Sequence, residues 1–260
     1  MLLPCGVKLN ATPVKPSELP PEDKVIQAGR ELIEATLNWK SNGTFAKGVV
    51  TGYVHPKDAD DDQPWFCRAS EHSAEEASFD EFWFGLGTNK PEHEKKFVHV
   101  VDEVVQLKKI SDTVAIWSIH YHFAPPISNR AFTVAQFIHL DLTSTKRTGF
   151  VVSIPVDVHT DDTDAELAKL DFKGVRGRYV SVERIQERDD GKVEWRMATS
   201  STPGGNIPNF IVQKSTPGQV ANDVPMFLKW LHSDREYFKN GIESSHEEPE
   251  AAAPVEQPAQ

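Results

Sequence analysis

The stretch TVAIWSIHYHFAPPISNRAFTVAQFIHLD, residues 113–141, contains two apolar segments separated by a polar turn. In the first segment, every second side chain from Trp117 to Phe123 is apolar or aromatic, as on one face of a β-strand. Two consecutive prolines end this strand because proline has no N–H to donate to a neighbouring strand. A second strand begins at Arg130. One of its faces consists of Phe132, Val134, Gln136, Ile138 and Leu140.

The two strands predict an antiparallel pair with one face turned toward the protein interior. That face is apolar apart from Gln136. A mostly apolar wall with a few polar groups is what a small-molecule cavity needs. An ordinary sheet core has the same pattern, so both interpretations stay open at this point.

The opposite face of the first strand carries Ser118, His120 and His122. Two histidines two residues apart lie on the same side of a strand, where they could form a metal site or supply a general base. The competing interpretation is that both histidines face solvent, away from Trp117.

Composition limits the classes of partner. The chain has 260 residues and a formal net charge of −11, which disfavours nucleic acid because phosphate binding needs clustered Lys and Arg. The charge also disfavours anionic membranes, so at most transient membrane contact is expected. Cys5 and Cys67 do not make a disulfide framework, and the first residues lack a signal-peptide pattern, so a cytoplasmic setting is expected.

The predicted elements are, in order, a helix, two strands, short helices, a run of five to six strands and a long terminal helix. Apolar residues recur at helical spacing in residues 25–39 and 220–231. An Asp-Gly pair is a hairpin signal between the strand segments 175–187 and 193–201. Consecutive strands bracketed by helices indicate an α+β fold with an antiparallel sheet, whose concave face buries the terminal helix.

The chain is expected to form one domain with two tails. Proline spacing without apolar periodicity predicts that residues 1–16 are loose, and the globular domain is expected to span residues 17–240. Residues 241–260 are acidic and rich in alanine and proline, so they are expected to be a disordered tail.

Sequence motifs for catalysis are missing. The chain has no nucleophile elbow, no phosphate-binding glycine loop, no dinucleotide fingerprint and no paired-histidine zinc helix. The sequence therefore predicts no cofactor, no metal site and no catalytic residue, and it favours binding over chemistry.

The order of elements resembles the START-like helix-grip superfamily, in which a curved antiparallel sheet wraps around a long C-terminal helix and an apolar tunnel. Two motifs carry the resemblance. Residues 126–132, PISNRAF, look like the superfamily's S-x-R-D-F strand opening, and residues 202–208, TPGGNIP, look like its G-x-I-P approach to the C-terminal helix. The resemblance covers about residues 25–231. The acidic, proline-rich ends are similar to an uncharacterised fungal branch of the superfamily.

The resemblance implies a helix-grip fold with an internal apolar cavity. The implied partner is a hydrophobic small molecule (a lipid, a sterol or similar) that the protein binds and could transport. One alternative is a cyclase or aromatase type of enzyme for polyketide-like substrates on the same fold, and another is a regulatory module with the acidic tail as an interaction arm. The oligomeric state and the ligand's identity are not predicted.

Two departures from the superfamily pattern bear on specificity. Ala131 stands where the superfamily has an aspartate, and the acidic cavity partner of sterol-binding members has no match in residues 116–122. His120 or His122 could stand in its place. The resemblance therefore implies an apolar tunnel but not sterol specificity.

Arg130 is predicted to receive a polar head group of the ligand, because arginine stays charged when it is desolvated. The alternative is an ion pair between Arg130 and Glu183 or Glu194. The residues predicted to contact the ligand are Trp117, His120, Tyr121, His122, Arg130, Phe132, Gln136, Trp195, Met197, Phe210 and Phe227.

Overall fold

The computed structural model describes residues 1–58, 61, 63–125, 127–143, 145–160, 164–205, 207 and 209–246, with only the backbone at 209–212 and 246. Within these residues, ten strands form one curved sheet. The strands are β1 (Lys40–Phe45), β2 (Val50–His55), β3 (Trp65–His72), β4 (Val101–Lys109), β5 (Val114–Tyr121), β6 (Arg130–Asp141), β7 (Thr148–Pro155), β8 (Val175–Arg176), β9 (Arg178–Glu187) and β10 (Val193–Thr202).

The strands are hydrogen-bonded in the order β1-β2-β3-β10-β9-β7-β6-β5-β4, and every pair in that path is antiparallel. The short β8 lies parallel to β6. The helices are α1 (Glu22–Ala35), α2 (Phe79–Gly87), α3 (Lys90–Phe97), α4 (Ala165–Leu170), α5 (Asn209–Ser233) and α6 (Arg235–His246). The structure confirms the predicted α+β class, with the C-terminal helix α5 against the sheet.

The outer face of the sheet is the one that α1 covers. The apolar stripe predicted for this helix is buried, with Leu32 and Ile33 fully enclosed. Gly29 allows the close approach, because a Cβ at this position would lie 2.8 Å from a methyl group of Val152 on β7. Residues 1–16, predicted to be loose, pack onto the same core, where Leu3 and Leu9 are buried.

The inner face of the sheet is the one that α2, α3, α5 and α6 cover. Phe227 and Leu231 of α5 are fully buried in one apolar cluster with Phe82 of α2 and Trp195 of β10. Phe238 of α6 joins that cluster. The sheet therefore has two separate apolar layers, one on each face, and the terminal helix contributes to the inner one.

Local sequence signals account for the ends of several elements. Ser78 and Glu81 form the capping box at the start of α2, with the Glu81 N–H donating to Ser78 Oγ and the Ser78 N–H to the Glu81 carboxylate. Gly191 has a φ of 77° in the β9–β10 hairpin, where an L-residue would be strained.

Three elements differ from the sequence-based expectation. The helix α5 begins at Asn209, well before the periodic residues 220–231, and continues through Pro217, where the buried neighbours Thr216 and Ala221 offset one lost hydrogen bond. Three strands, instead of the predicted two, lie between α1 and α2, and the additional one is the exposed edge strand β1. The helix α6 crosses the predicted boundary at residue 240, and Phe238 anchors it in the core. Residues 247–260 of the predicted tail lie outside the described residues.

Candidate functional site

The inner face of the sheet brings together most of the residues predicted to contact a ligand. Neighbouring strands align them in register, with Tyr121 opposite Arg130. The rings of Tyr121 and Phe132 lie 5.0 Å apart, and Phe132 lies 5.6 Å from the ring of Tyr179 on β9. The predicted residues on this face are Trp117, Tyr121, Arg130, Phe132, Gln136, Trp195 and Met197.

Two predicted residues belong to α5. Phe227 faces the sheet from this helix, with its ring 5.5 Å from that of Trp195. Phe210 lies in the first turn of the helix, and its side chain is outside the described residues. Pro126, Asn206 and Pro208 of the two motifs are likewise outside the described residues.

His120 and His122 do not reach the inner face. His120 Nδ1 lies 2.6 Å from Asp102 Oδ1 of β4, and its ring packs against Phe172 on the outer side. His122 is exposed, and both histidines border an open cleft of about 660 Å³. The structure therefore supports the competing interpretation, in which the histidines lie opposite the Trp117 face. No cluster of metal-ligating side chains occurs among the described residues.

Arg130 is almost fully buried, but its partners are backbone carbonyls. Its guanidinium donates to the carbonyl of Ser128, and Nε donates to that of Pro203 at 3.3 Å. Neither Glu183 nor Glu194 pairs with it, so the predicted ion-pair alternative is wrong. These bonds tie the β5–β6 turn to the loop before α5.

Charged residues that the sequence analysis did not select form a buried group on the inner side. We define the inner charge cluster as Arg68 of β3, Lys90 and Glu94 of α3, Glu183 of β9 and Asp223 of α5. Glu183 accepts from Lys90 Nζ at 3.1 Å and from Trp195 Nε1 at 2.9 Å. Lys90 also donates to Glu94. The inner charge cluster therefore combines side chains from β3, β9, α3 and α5.

The Arg68 guanidinium is the part of this cluster with spare hydrogen-bonding capacity. Arg68 is 2% exposed and lies over the ring of Trp195, 3.8 Å from its centroid. Its Nε donates to the carbonyl oxygen of Val220 at 2.9 Å, while Nη2 is 3.9 Å from Glu183, beyond hydrogen-bond length. Its Nη1 is buried and has no hydrogen-bond partner among the described residues.

Three half-buried side chains lie beside the cluster. Tyr121, Tyr179 and Asp223 each retain some accessible surface, yet burial is the main cause of a raised pKa in all three. The pKa of Asp223 rises to about 7, because Glu94 adds to the effect of burial and the opposing charge of Arg68 is too weak to cancel it. Residual surface on strongly desolvated groups is the pattern expected of side chains that line an internal space.

The sequence contained a signal for these charges. Glu183 follows Ser181 and precedes Ile185 in the inward set of β9, and Asp223 lies on the same helical face as Val220 and Phe227. A charged residue on a face that is otherwise apolar is unusual and indicates a partner or a ligand. That the residues of the inner charge cluster lie close together was not predictable, because they come from four separate elements.

A second polar arrangement on the inner face has the order of a catalytic triad. His72 Nε2 lies 2.9 Å from Ser70 Oγ, and His72 Nδ1 lies 2.9 Å from a carboxylate oxygen of Glu76. Ser70 and His72 are only 2% and 1% exposed, and the Phe82 ring packs 5.2 Å from that of His72. These bonds tie β3 to the segment before α2.

The outer face has its own buried ions, Arg184, Glu194 and Arg196, which we call the outer charge network. Arg184 Nη2 donates to Glu194 Oε1 at 2.6 Å, and Arg196 donates to both carboxylate oxygens, from Nε at 3.1 Å and Nη2 at 3.2 Å. Arg184 Nη1 also donates to Glu34 of α1 at 2.9 Å. This network fastens α1 to the sheet.

Structural comparison identifies the architecture. The chain matches human STARD10 with a TM-score of 0.65 at 15% identity, covering 87% of this chain and 86% of that one. It matches the lipid transfer and protein localization domain of human StarD13 with a TM-score of 0.57 at 12% identity, covering 82% and 97%. It matches human StAR-related lipid transfer protein 5 with a TM-score of 0.53 at 12% identity, covering 87% and 100%. At these identities the likeness shows the fold, which is the START-like helix-grip fold.

Sequence comparison gives the family. No curated protein sequence matches the chain. No helix among the described residues is both long and apolar enough to cross a membrane. The model of the family described as "Protein of unknown function (DUF3074)" matches residues 65–231, well over half of the chain. The chain therefore belongs to the DUF3074 family, and its fold is START-like.

Proposed function

We propose that this protein binds a hydrophobic small molecule, such as a lipid or a sterol, between the inner sheet face and α5, and carries it through the cytoplasm. The observation that carries the proposal is the residual accessible surface of Tyr121, Tyr179 and Asp223, three strongly desolvated side chains, from which we infer an enclosed space among them. A fully packed core would leave these side chains no accessible surface.

The walls of that space suit an amphiphilic ligand. Trp117 and Phe132 provide apolar surface on β5 and β6, and the inner charge cluster provides polar groups at one side. Mostly apolar walls with a few convergent polar groups are typical of small-molecule sites. In this proposal Gln136, Trp195 and Met197 complete the wall. Two structural neighbours, from human StarD13 and human StAR-related lipid transfer protein 5, are named for lipid transfer, which supports the same ligand class.

Arg130 has a different part in this proposal from the one that the sequence suggested. Its bonds to the carbonyls of Ser128 and Pro203 hold two loops together beside the first turn of α5. A ligand can enter only through a gap in the wall of the site. The β5–β6 turn and the loop before α5 lie beside the N-terminal end of this helix, where such a gap would open. Arg130 therefore stabilises the rim of the site, and the head-group role passes to another arginine.

Native mass spectrometry of the freshly purified protein tests the proposal. We expect a fraction of the protein to carry an added mass of a few hundred daltons, on the order of one lipid, which organic extraction removes. Incubation of the extracted protein with mixed lipid vesicles should restore the added mass. An unmodified mass before and after incubation would contradict the proposal.

A pair of tyrosine variants locates the ligand. Tyr179→Trp enlarges a side chain that borders the enclosed space, whereas Tyr237→Trp enlarges one that is 39% exposed on α6. We expect the first variant to lower ligand occupancy and the second to leave it unchanged. Equal occupancy in both variants would place the ligand elsewhere.

A further inference from the structure

In the inner charge cluster the carboxylates are unevenly shared between the two cations. Lys90 has two carboxylates close by, Glu94 and Glu183, and its ammonium group donates to both. Among the described residues Arg68 has no carboxylate within hydrogen-bond distance, since the oxygen of Glu183 lies 3.9 Å away. Burial of an arginine without a hydrogen-bonded counter-ion costs folding free energy. The hydrogen-bonding partners of Arg68 are therefore incomplete.

The guanidinium of Arg68 is enclosed, but one of its donors has no hydrogen-bond partner among the described residues. The face of the group is covered by Trp195, and the Nε edge is bonded to the Val220 carbonyl. The unpartnered Nη1 is therefore the position where an additional acceptor can bind. Asp223 lies one helical turn beyond Val220, so it faces the same region from α5.

We propose that the free edge of Arg68 receives an anionic oxygen head group, a carboxylate or a phosphate, and that Asp223 takes up one proton from solvent when this anion enters. The proposal deepens the proposed function, on which it rests, by naming the head group of the ligand. In the empty protein the Asp223 carboxylate is the distant counter-ion of Arg68. In the complex the ligand's anion replaces it, and the proton on Asp223 keeps the total charge of the site constant.

The charges around Asp223 support this exchange. The groups that act on it are Arg68 from β3, Tyr121 from β5, Glu183 from β9, and Lys90 and Glu94 from α3. With Asp223 ionised, two cations face three carboxylates, so a further anion would be repelled. The pKa of about 7 means that protonation of Asp223 costs little near neutral pH. Tyr121 and Tyr179 stay protonated because their pKa values are raised, and they remain neutral.

A matched pair of fluorescent probes tests the proposal. The acid is 11-(dansylamino)undecanoic acid, which is ionised between pH 6 and 8 because carboxylic acids have pKa values of about 4 to 5. The neutral control is the corresponding dansylamino undecanol. We expect the affinity for the acid to fall about tenfold from pH 6 to pH 8, as Asp223 loses its proton. The affinity for the alcohol should change less than about twofold.

Variants separate the two residues. Asp223→Asn should remove the pH dependence and bind the acid at pH 8 as tightly as the unmodified protein does at pH 6. Glu236→Gln, an exposed acid on α6, is the control and should behave like the unmodified protein. Arg68→Met should lose the preference for the acid while still binding the alcohol, and alcohol binding also shows that this variant is folded.

Competition decides which anion is recognised. At pH 6, a lysophosphatidic acid, an unlabelled fatty acid and a fatty alcohol of equal chain length compete with the dansyl acid. Stronger displacement by either acidic lipid supports the proposal and identifies the head group as phosphate or carboxylate.

Two results would overturn it. Equal, pH-independent binding of acid and alcohol would remove the head-group assignment but leave hydrophobic ligand binding intact. Binding of neither probe, with no bound lipid by mass spectrometry, would remove the proposed function as well.

Discussion

The two faces of the sheet carry buried charged groups whose carboxyl pKa values shift in opposite directions. In the outer charge network, hydrogen bonds from Arg196 and Arg184 outweigh the effect of burial and hold the pKa of Glu194 below its usual range. In the inner charge cluster, burial dominates at Asp223 and raises its pKa to about 7. The first group consists of bonded ion pairs, and the second has one carboxyl group more than its cations can satisfy.

The difference shows what each group does. In the outer charge network the carboxylate of Glu194 accepts three hydrogen bonds, of 2.6, 3.1 and 3.2 Å, and one donor, Arg184 Nε, is left without a partner among the described residues. In the inner charge cluster Arg68 has one hydrogen bond through its guanidinium and lies beside half-buried side chains. A bonded network stabilises the fold, whereas unsatisfied charge beside an enclosed space indicates a ligand site.

The largest expected effect is on the outer face. Glu194→Gln removes the carboxylate between two buried arginines and should lower the free energy of unfolding by about 3–5 kcal/mol. Glu71→Gln is the matched control, since Glu71 lies opposite Glu194 in the sheet but pairs with Arg188 and Lys192 at the surface. Its loss should be about 0–1 kcal/mol. Urea denaturation measures both, and equal losses would show that the outer network is not stabilising.

The next effect is a pH dependence of opposite sign on the two faces. A carboxyl group whose folded pKa is raised favours the folded state at low pH, and Asp223 loses this contribution as the pH rises from 3.8 to about 7. Asp223→Asn should therefore be more stable than the unmodified protein at pH 8, by about 2–4 kcal/mol, with a smaller difference at pH 5.

Glu194 should behave in the opposite way. Its pKa is lowered in the folded protein, so its stabilising contribution is present above pH 4.5, the ordinary value, and is lost as the pH falls below it. The cost of Glu194→Gln should shrink in acid, whereas the gain from Asp223→Asn should shrink as the pH falls toward 5. Parallel pH profiles for the two variants would contradict the comparison.

Arg130 provides a third, smaller test. Arg130→Leu leaves the carbonyls of Ser128 and Pro203 without their donor and should cost about 1–3 kcal/mol of stability. The preference for an acidic over a neutral probe should persist, because Arg68 is unchanged. Thermal melts and the dansyl probes check both statements, and loss of that preference would restore Arg130 as the head-group residue.

The smallest effect concerns the acidic tail. Removal of residues 247–260 should leave the melting temperature unchanged within error, since this segment has no apolar pattern to bury. The pH profile of Asp223 should also stay the same, because salt screens the interaction between charges that are farther apart than about 8–10 Å. A shift in that profile at 150 mM salt would show that the tail acts on the inner cluster.

Much of the fold followed from local sequence patterns. The alternation in β5 and β6, the Asp-Gly hairpin between β9 and β10 and the capping box at Ser78 are interactions between residues close in the chain. The helix α6 was missed because its single deeply buried residue, Phe238, makes no periodic pattern. The continuity of α5 through Pro217 was missed for a similar reason, since packing from outside the helix offsets the broken bond.

The sequence by itself determined the strand and helix pattern, the apolar faces and the inward direction of Trp117, Phe132 and Trp195, because side-chain direction follows from the period of each element. Only the tertiary structure decided which charges lie together. Arg68 and Asp223 are 155 positions apart in the chain, and their meeting depends on how α5 crosses β3. Electrostatic and desolvation energies depend on distance and burial in three dimensions, which residue spacing does not encode.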